Sequence, residues 1–285
     1  MLIVSKSQTK WIKYVEKNYM DGVSSDLIWV VGGSQATENA KIIAYYSKKS
    51  LCIIPTCLSS DAFFTKSFAF RRELGKSPEY IEVWKKNWLN SSESKNGISG
   101  FNGRKFWFDD KILQAADYRM NMVGWAEILS GLSARTTWRK KSNFDIEVAV
   151  KMDELIEKCC APKDFLSRKI LFETLKDEVL LCDSFGNSDP EEGLEHQIAY
   201  KLEKYTDNSW LHSELVLIGI RRVLLDHRES LSYFYDLIKR LGIGEDELLS
   251  WERAIGMEYV NKAHKEVLNK YSSGTPVDKV VVEDK

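Results

Sequence analysis

The run Leu27-Ile28-Trp29-Val30-Val31 is apolar without interruption and ends at Gly32-Gly33. A strand with no polar face must be buried on both sides, and within one chain that means a parallel sheet covered by helices. A helix is expected over Thr37 to Lys48, with Ala40, Ile43 and Ala44 turned inward. It is followed by a second buried strand, Leu51-Cys52-Ile53-Ile54, which Pro55 stops. Strand, short helix and strand form a βαβ unit, whose crossover is right-handed in nearly all known cases. Ahead of it, Trp11, Ile12, Val15 and Tyr19 recur at helical spacing. The first part of the chain therefore reads as α/β.

Beyond Phe68 the pattern weakens. Asn90 to Gly100, rich in Ser, Asn and Gly, has the composition of an exposed loop, and Lys105-Phe106-Trp107-Phe108 is a short strand candidate. From Lys111 onward the period is 3.6. Helices are expected over Asp117–Trp138, Asp145–Cys159, Pro162–Leu181, Glu192–Tyr205, Trp210–Asp226, Ser230–Leu241 and Asp246–Leu268. A switch from α/β to nearly all-helical marks a domain boundary near residues 109 to 117. The expected division is an α/β domain over 1–112, a helical domain over 113–271 and a flexible tail over 272–285.

Charge narrows the function classes. Lys and Arg number 41 against 42 Asp and Glu, a formal net charge of −1. A generic polyanion binder needs a basic excess, so nucleic acid is not the expected partner. With 44% hydrophobic and 12% aromatic residues, the chain can build a large core. The best apolar stretch, Leu215 to Leu225, is broken by Arg221 and Arg222, and Met1 to Lys10 is too polar for a secretory leader, so no membrane association and a cytoplasmic location are expected. Cys52, Cys57, Cys159, Cys160 and Cys182 contain no C-x-x-C pair and read as buried small hydrophobes in a reducing compartment.

Only four histidines occur. His196 lies early in a helix entered from Ser188-Asp189-Pro190, and His212 opens the next helix. Two imidazoles on consecutive helices could converge on one divalent ion, or serve as surface and capping residues. His227 and His264 read as helix-surface residues. In Val123-Gly-Trp-Ala-Glu-Ile-Leu-Ser-Gly-Leu-Ser-Ala134, Glu127 interrupts a small, apolar face. A carboxylate there needs a partner, either Arg119 or Arg135, or a metal.

Taken in order, the Gly-Gly turn, Ile54-Pro55-Thr56, Gly124-x-Ala-Glu-Ile-Leu-Ser130, Gly193-x-Glu-His196 and His212-x-Glu214 resemble the motifs of one superfamily. It comprises dehydroquinate synthase, glycerol-1-phosphate dehydrogenase and the iron-containing alcohol dehydrogenases, and the resemblance runs from about residue 10 to residue 240. Gly124-Trp-Ala-Glu127 is closer to dehydroquinate synthase. Ser130, Pro55-Thr56, Ser59-Ser60-Asp61 and the approach to His196 are closer to the dehydrogenase branch. The resemblance implies a truncated Rossmann-like parallel sheet followed by an all-α C-terminal domain. It implies Glu127, His196 and His212 as ligands of a divalent metal, zinc first among candidates, and Asp61 near the substrate hydroxyls. It places Ser130 and Tyr200 at catalytic positions and Gly32, Gly33, Ser34 and Thr56 around NAD or NADP.

Two departures shape the expectation. Tyr200 stands where the family carries a second histidine, and a phenol with a reference pKa near 10 is a poorer base at neutral pH. The family also has several tens of residues ahead of the glycine turn, whereas Gly32 follows 31 residues, and Glu38 stands at a family Asp. The expectation is a shortened first domain with an uncovered sheet edge, hence a partner that completes the sheet, a homo-oligomer, or a weakened cofactor site. Two functions follow. One is a metal-dependent, NAD(P)-linked enzyme acting on a polyol, sugar or cyclitol. Its substrate could be phosphorylated, with Arg135, Arg139, Lys140 and Lys141 either meeting a phosphate or forming a solvated helix end. The other is a non-redox descendant that binds metal or ligand, or one subunit of a split enzyme.

Overall fold

The computed structural model describes residues 2–4, 6–20, 27–47, 49–65, 68–70, 79–81, 104–206 and 209–272. The expected loop over 90–100 and nearly all of the expected tail lie outside them.

Four strands form a parallel sheet in the order β1-β2-β3-β6: β1 (Leu2–Val4), β2 (Leu27–Gly32), β3 (Ser50–Pro55) and β6 (Arg104–Phe106). A separate antiparallel pair, β4 (Phe68–Phe70) and β5 (Glu79–Ile81), precedes β6. Between β1 and β2 run a 3-10 turn and helix α1 (Ile12–Tyr19); helix α2 (Ser34–Ser47) crosses from β2 to β3. Period-2 alternation divides the central strands between two cores. Ile28, Val30, Leu51 and Ile53 face the large core shared with the helices, while Trp29, Val31, Cys52 and Ile54 face a smaller one closed by Val15 of α1.

The uncovered edge expected beside β2 is already paired within the chain. Leu2, Ile3 and Val4 lie in register with Trp29, Val30 and Val31, so β1 is the outer strand on that side. A three-residue edge strand blunts the template an open sheet offers to other chains.

The helical part comprises α3 (Asp110–Gln114), α4 (Tyr118–Met122), α5 (Trp125–Trp138), α6 (Ile146–Glu157), α7 (Phe165–Phe185), α8 (Leu194–Tyr205), α9 (His212–Asp226), α10 (Ser232–Arg240), α11 (Glu245–Ile255) and α12 (Met257–Ser272). Side-chain caps fix several starts: Asp109 accepts from Ile112 N, Asp145 from Glu147 N, and Asp164 forms a reciprocal box with Ser167. Two expected helices are each broken in two. The segment Asp117–Trp138 divides at Val123-Gly124, and Asp246–Leu268 divides at Gly256, whose φ of 100° ends α11. The apolar period survives both interruptions, which is why it does not reveal them.

The loop leaving β3 is fastened to the helices at three points. Leu58 N donates to Asn121 Oδ1 at 2.8 Å, and Asn121 Nδ2 donates to Leu113 O. Gly124 lies so close to the Leu58 carbonyl that a side-chain carbon there would overlap its oxygen. Ser213 Oγ donates to Ser59 O at 2.6 Å. These contacts bring Asp61, on the short 3-10 turn Asp61–Phe63, beside the start of α5 and α9.

Candidate metal centre

Three helices meet below that loop. Glu127 lies in the first turn of α5, His196 in the first turn of α8, and His212 is the first residue of α9. One ligand atom from each lies within 4.8 Å of the other two. His196 Nε2 is 3.1 Å from Glu127 Oε2, and Ser213 Oγ donates to Glu127 Oε1 at 3.1 Å. Two imidazole nitrogens and a carboxylate oxygen are the donor set of an open zinc-type site, so the residues fit a divalent ion. Of the alternatives for Glu127, the arginines are corrected: Arg119 pairs with Glu214, and Arg135 with Asp153.

The ring nitrogen of each histidine not shared with the cluster meets a buried carboxylate. His196 Nδ1 donates to Glu195 Oε1 at 3.0 Å, and His212 Nδ1 to Glu203 Oε1 at 2.8 Å. Burial alone would lower the His196 pKa, but its hydrogen bonds to Glu127 and Glu195, together with their charges, hold it well above its ordinary value. Burial would likewise raise Glu127, yet the hydrogen bond from His196 and the charges of both histidines keep it below the usual carboxylate range.

Asp61 is pushed up to about 7, first by burial and then by the charge of Glu127. The Tyr200 ring stacks on His212 with centroids 5.2 Å apart and planes 18° apart, and its hydroxyl donates to Glu192 Oε1 at 3.4 Å. Tyr200 thus borders the cluster. Ser130 is fully buried, and its hydroxyl faces the main-chain carbonyls of Glu127 and Glu191, tying α5 to the turn before α8. His227 and His264 lie outside the cluster.

Gly32 ends β2 and Gly33 leads into α2. Gly32 O accepts from Thr56 N at 3.0 Å, and Gly33 O accepts from Thr37 N at 3.2 Å, so both carbonyls point into the protein. The first-turn N–H groups of α2, beginning at Ser34, have no partner within the helix. Such a turn suits a pyrophosphate. Glu38 pairs with the fully buried Lys41, whose Nζ also donates to Thr65 Oγ1 at 2.9 Å. Three members of the basic run pair with acids outside the cluster: Arg135 with Asp153, Arg139 with Glu229 and Lys141 with Asp189. The five cysteines are free thiols, four of them buried, and burial pushes Cys52 up to about 12.

The residues that spacing alone did not single out are carboxylates: Glu195, Glu203 and Glu178. Glu178, on α7, is fully buried, and neither of its oxygens has a hydrogen-bond partner among the described residues. Burial, then the negative charges of Glu191, Asp61 and Glu127, push it well above the ordinary carboxylate range. The unfolded chain ionises Glu178 above about pH 4.3 while the fold resists, so its contribution to stability falls as pH rises from there toward the folded value. Glu178→Gln carries no such penalty. Metal-free Glu178→Gln protein should melt several degrees above the parent at pH 9, with the gain shrinking toward pH 5; an equal difference at both pH values would refute a neutral Glu178.

No protein-family model matches the chain. It is 23% identical over 249 residues to the glycerol-1-phosphate dehydrogenase of Thermoplasma volcanium, covering 81% of this chain and 63% of that protein. The corresponding enzyme of Methanothrix thermoacetophila is 21% identical over 261 residues, 87% of this chain and 68% of the relative. The chain thus spans about 63% of the first relative's length. Among solved structures, an iron-containing alcohol dehydrogenase from Corynebacterium glutamicum matches with TM-score 0.59 at 15% identity, covering 98% of this chain and 84% of that one. Glycerol dehydrogenase from Schizosaccharomyces pombe matches with TM-score 0.52 at 18% identity, covering 96% and 77%. Among the described residues no helix is long and apolar enough to cross a membrane. In the order of its motifs, in its α/β sheet followed by a helical domain, and in these sequence and fold relatives, the chain is similar to the superfamily that includes glycerol-1-phosphate dehydrogenase and the iron-containing alcohol dehydrogenases.

Proposed function

We propose that the chain is a metal-dependent dehydrogenase that oxidises a hydroxyl of a small polyol with NAD(P)+ as acceptor. The observation that carries this reading is the convergence of Glu127, His196 and His212 from three helices. Relatives named glycerol-1-phosphate dehydrogenase, with NAD(P)+ in their names, support the substrate class and the acceptor.

Glu127, His196 and His212 would hold the ion, with zinc the best match to the donor set. Bound there, it supplies the Lewis acidity that lowers the pKa of a substrate hydroxyl. The nicotinamide supplies the hydride acceptor. Gly32, Gly33 and the start of α2 at Ser34 would bind the pyrophosphate through main-chain N–H groups, with Thr56 anchoring the turn from the next strand. Asp61, brought to the cluster by the fastened β3 loop, would accept a hydrogen bond from a neighbouring substrate hydroxyl. Tyr200 walls the cluster through its stack on His212 and orients groups there through its phenol.

The test uses the full chain loaded with zinc. Titration with NADH and NADPH, followed by nicotinamide fluorescence, should give saturable binding, and glycerol or glycerol 1-phosphate with NAD(P)+ should give reduced nicotinamide. Zinc retention without nicotinamide binding at millimolar concentration would remove the redox reading and favour a metal- or ligand-binding descendant. Turnover of glycerol but not its phosphate, or the reverse, assigns the substrate.

A further inference from the structure

Glu195 and Glu203 both lie on α8 and both receive an Nδ1–H from a histidine of the cluster, but they are held very differently. Glu195 is fully buried and fully engaged: Oε1 faces His196 Nδ1 and accepts from Gly193 N, and Oε2 accepts from Ser133 Oγ at 2.8 Å. It would be satisfied by the fold even without its histidine. Glu203 would not. It is 3% exposed, Oε1 faces His212 Nδ1 at 2.8 Å, and Oε2 is buried without any hydrogen-bond partner. Among the described residues, His212 is the one hydrogen-bond donor recorded for that carboxylate.

Burying a carboxylate is costly unless charge and hydrogen bonds compensate, on the order of several kcal/mol. A fold that needed only packing at this position would be better served by Leu or Met. The side chain of His212 is 24% exposed and begins its helix; the Tyr200 stack covers one face of its ring but sets neither its rotation within that plane nor its tautomer. A hydrogen bond from Nδ1 to a carboxylate fixes both the rotation of an imidazole and its tautomer, leaving Nε2 with its lone pair for a ligand.

We propose that Glu203 is a positioning residue of the metal centre, whose task is to hold His212 in the Nδ1–H form with Nε2 turned to the cluster. The proposal rests on the metal reading for its purpose, but not for its geometry. Glu203 sits two helical turns beyond His196, so one helix supplies a ligand and the residue that aims the ligand of the next helix. A shift of α8 relative to α9 would therefore disturb His212 as well as His196.

The experiment has two readouts on the full chain. Ring-nitrogen NMR of metal-free, histidine-labelled protein reads the His212 tautomer, and titration with zinc alone against a chromophoric chelator reads affinity. Glu203→Ala should move His212 out of the Nδ1–H form and weaken zinc binding about 10- to 100-fold, with the parent circular dichroism retained. Glu203→Gln keeps an acceptor oxygen without the charge, so it should restore the tautomer and part of the affinity. If Glu203→Ala does not fold, a zinc affinity of Glu203→Gln equal to the parent's would overturn the proposal, and a weakened one would support it. A parent that binds no zinc would sink the metal reading, and the ring nitrogens alone would then decide the role of Glu203. An unchanged tautomer in Glu203→Ala overturns it outright.

Discussion

Glu127→Ala protein should leave purification without the zinc that the parent retains, while keeping the parent's helical circular dichroism. The carboxylate is the sole anion among the three converging ligands, and removing it leaves two neutral imidazoles to face a divalent charge. Replacing an orienting neighbour of a metal ligand costs roughly 10- to 100-fold in affinity. Loss of the anionic ligand itself should exceed that range. The fold should tolerate the change because each neighbour of Glu127 has another partner: His196 keeps Glu195, and Ser213 keeps the Ser59 carbonyl. His212→Ala should lose zinc in the same way. Metal analysis by mass spectrometry on parent and variants decides it, and equal zinc in all three would refute the centre.

Gly219→Ala should be strongly destabilising for a single added methyl. Gly219 lies mid-way along α9, where the backbone of α8 passes so closely that an added Cβ would stand 2.9 Å from Glu195 Cα and closer still to its carbonyl oxygen. Neither atom belongs to a flexible side chain, so the helices themselves must separate. Overpacking of a close-packed core costs about 1 to 3 kcal/mol where side chains can adjust, and more where backbone must move. Separation here also displaces Glu195 and His196 from Glu127. The expected result is a melting midpoint lowered by roughly 5 °C or more, at about 2 to 4 °C per kcal/mol for a chain near this size, together with weakened zinc binding. Gly219→Ala protein that melts and binds zinc like the parent would show that α8 and α9 are not in this contact.

The parts legible in the sequence are those whose physics is local. β2, β3 and α2 announce themselves because strands buried on two faces read as unbroken apolar runs around a glycine turn. β1 does not, since Leu2-Ile3-Val4 is too short to stand out from the polar residues after it, and only pairing with β2 makes it a strand. Only motif order, through the resemblance, grouped Glu127, His196 and His212 as one trio, because periodicity marks each helix that carries them but not how those helices pack against one another. Glu203 was hidden for a different reason. A buried acid on an amphipathic helix has the same letter as a solvated one, and what distinguishes it, the ring nitrogen of His212 on another helix, is a tertiary fact. Arg119 and Arg135 show the converse: both were reasonable counter-ions for Glu127, and both went to nearer acids.

The hydroxyl of Ser213 touches two structures at once, the carbonyl of Ser59 on the loop leaving the sheet and the carboxylate of Glu127 in the candidate metal centre. One rotor thus belongs to the seam between the α/β and helical parts and to the immediate surroundings of the candidate metal centre. Should the centre hold an ion, its occupancy and the stiffness of that seam would share this one hydroxyl. A ligand that shifted either Glu127 or the Ser59 loop would, through this hydroxyl and by reciprocity, be felt at the other.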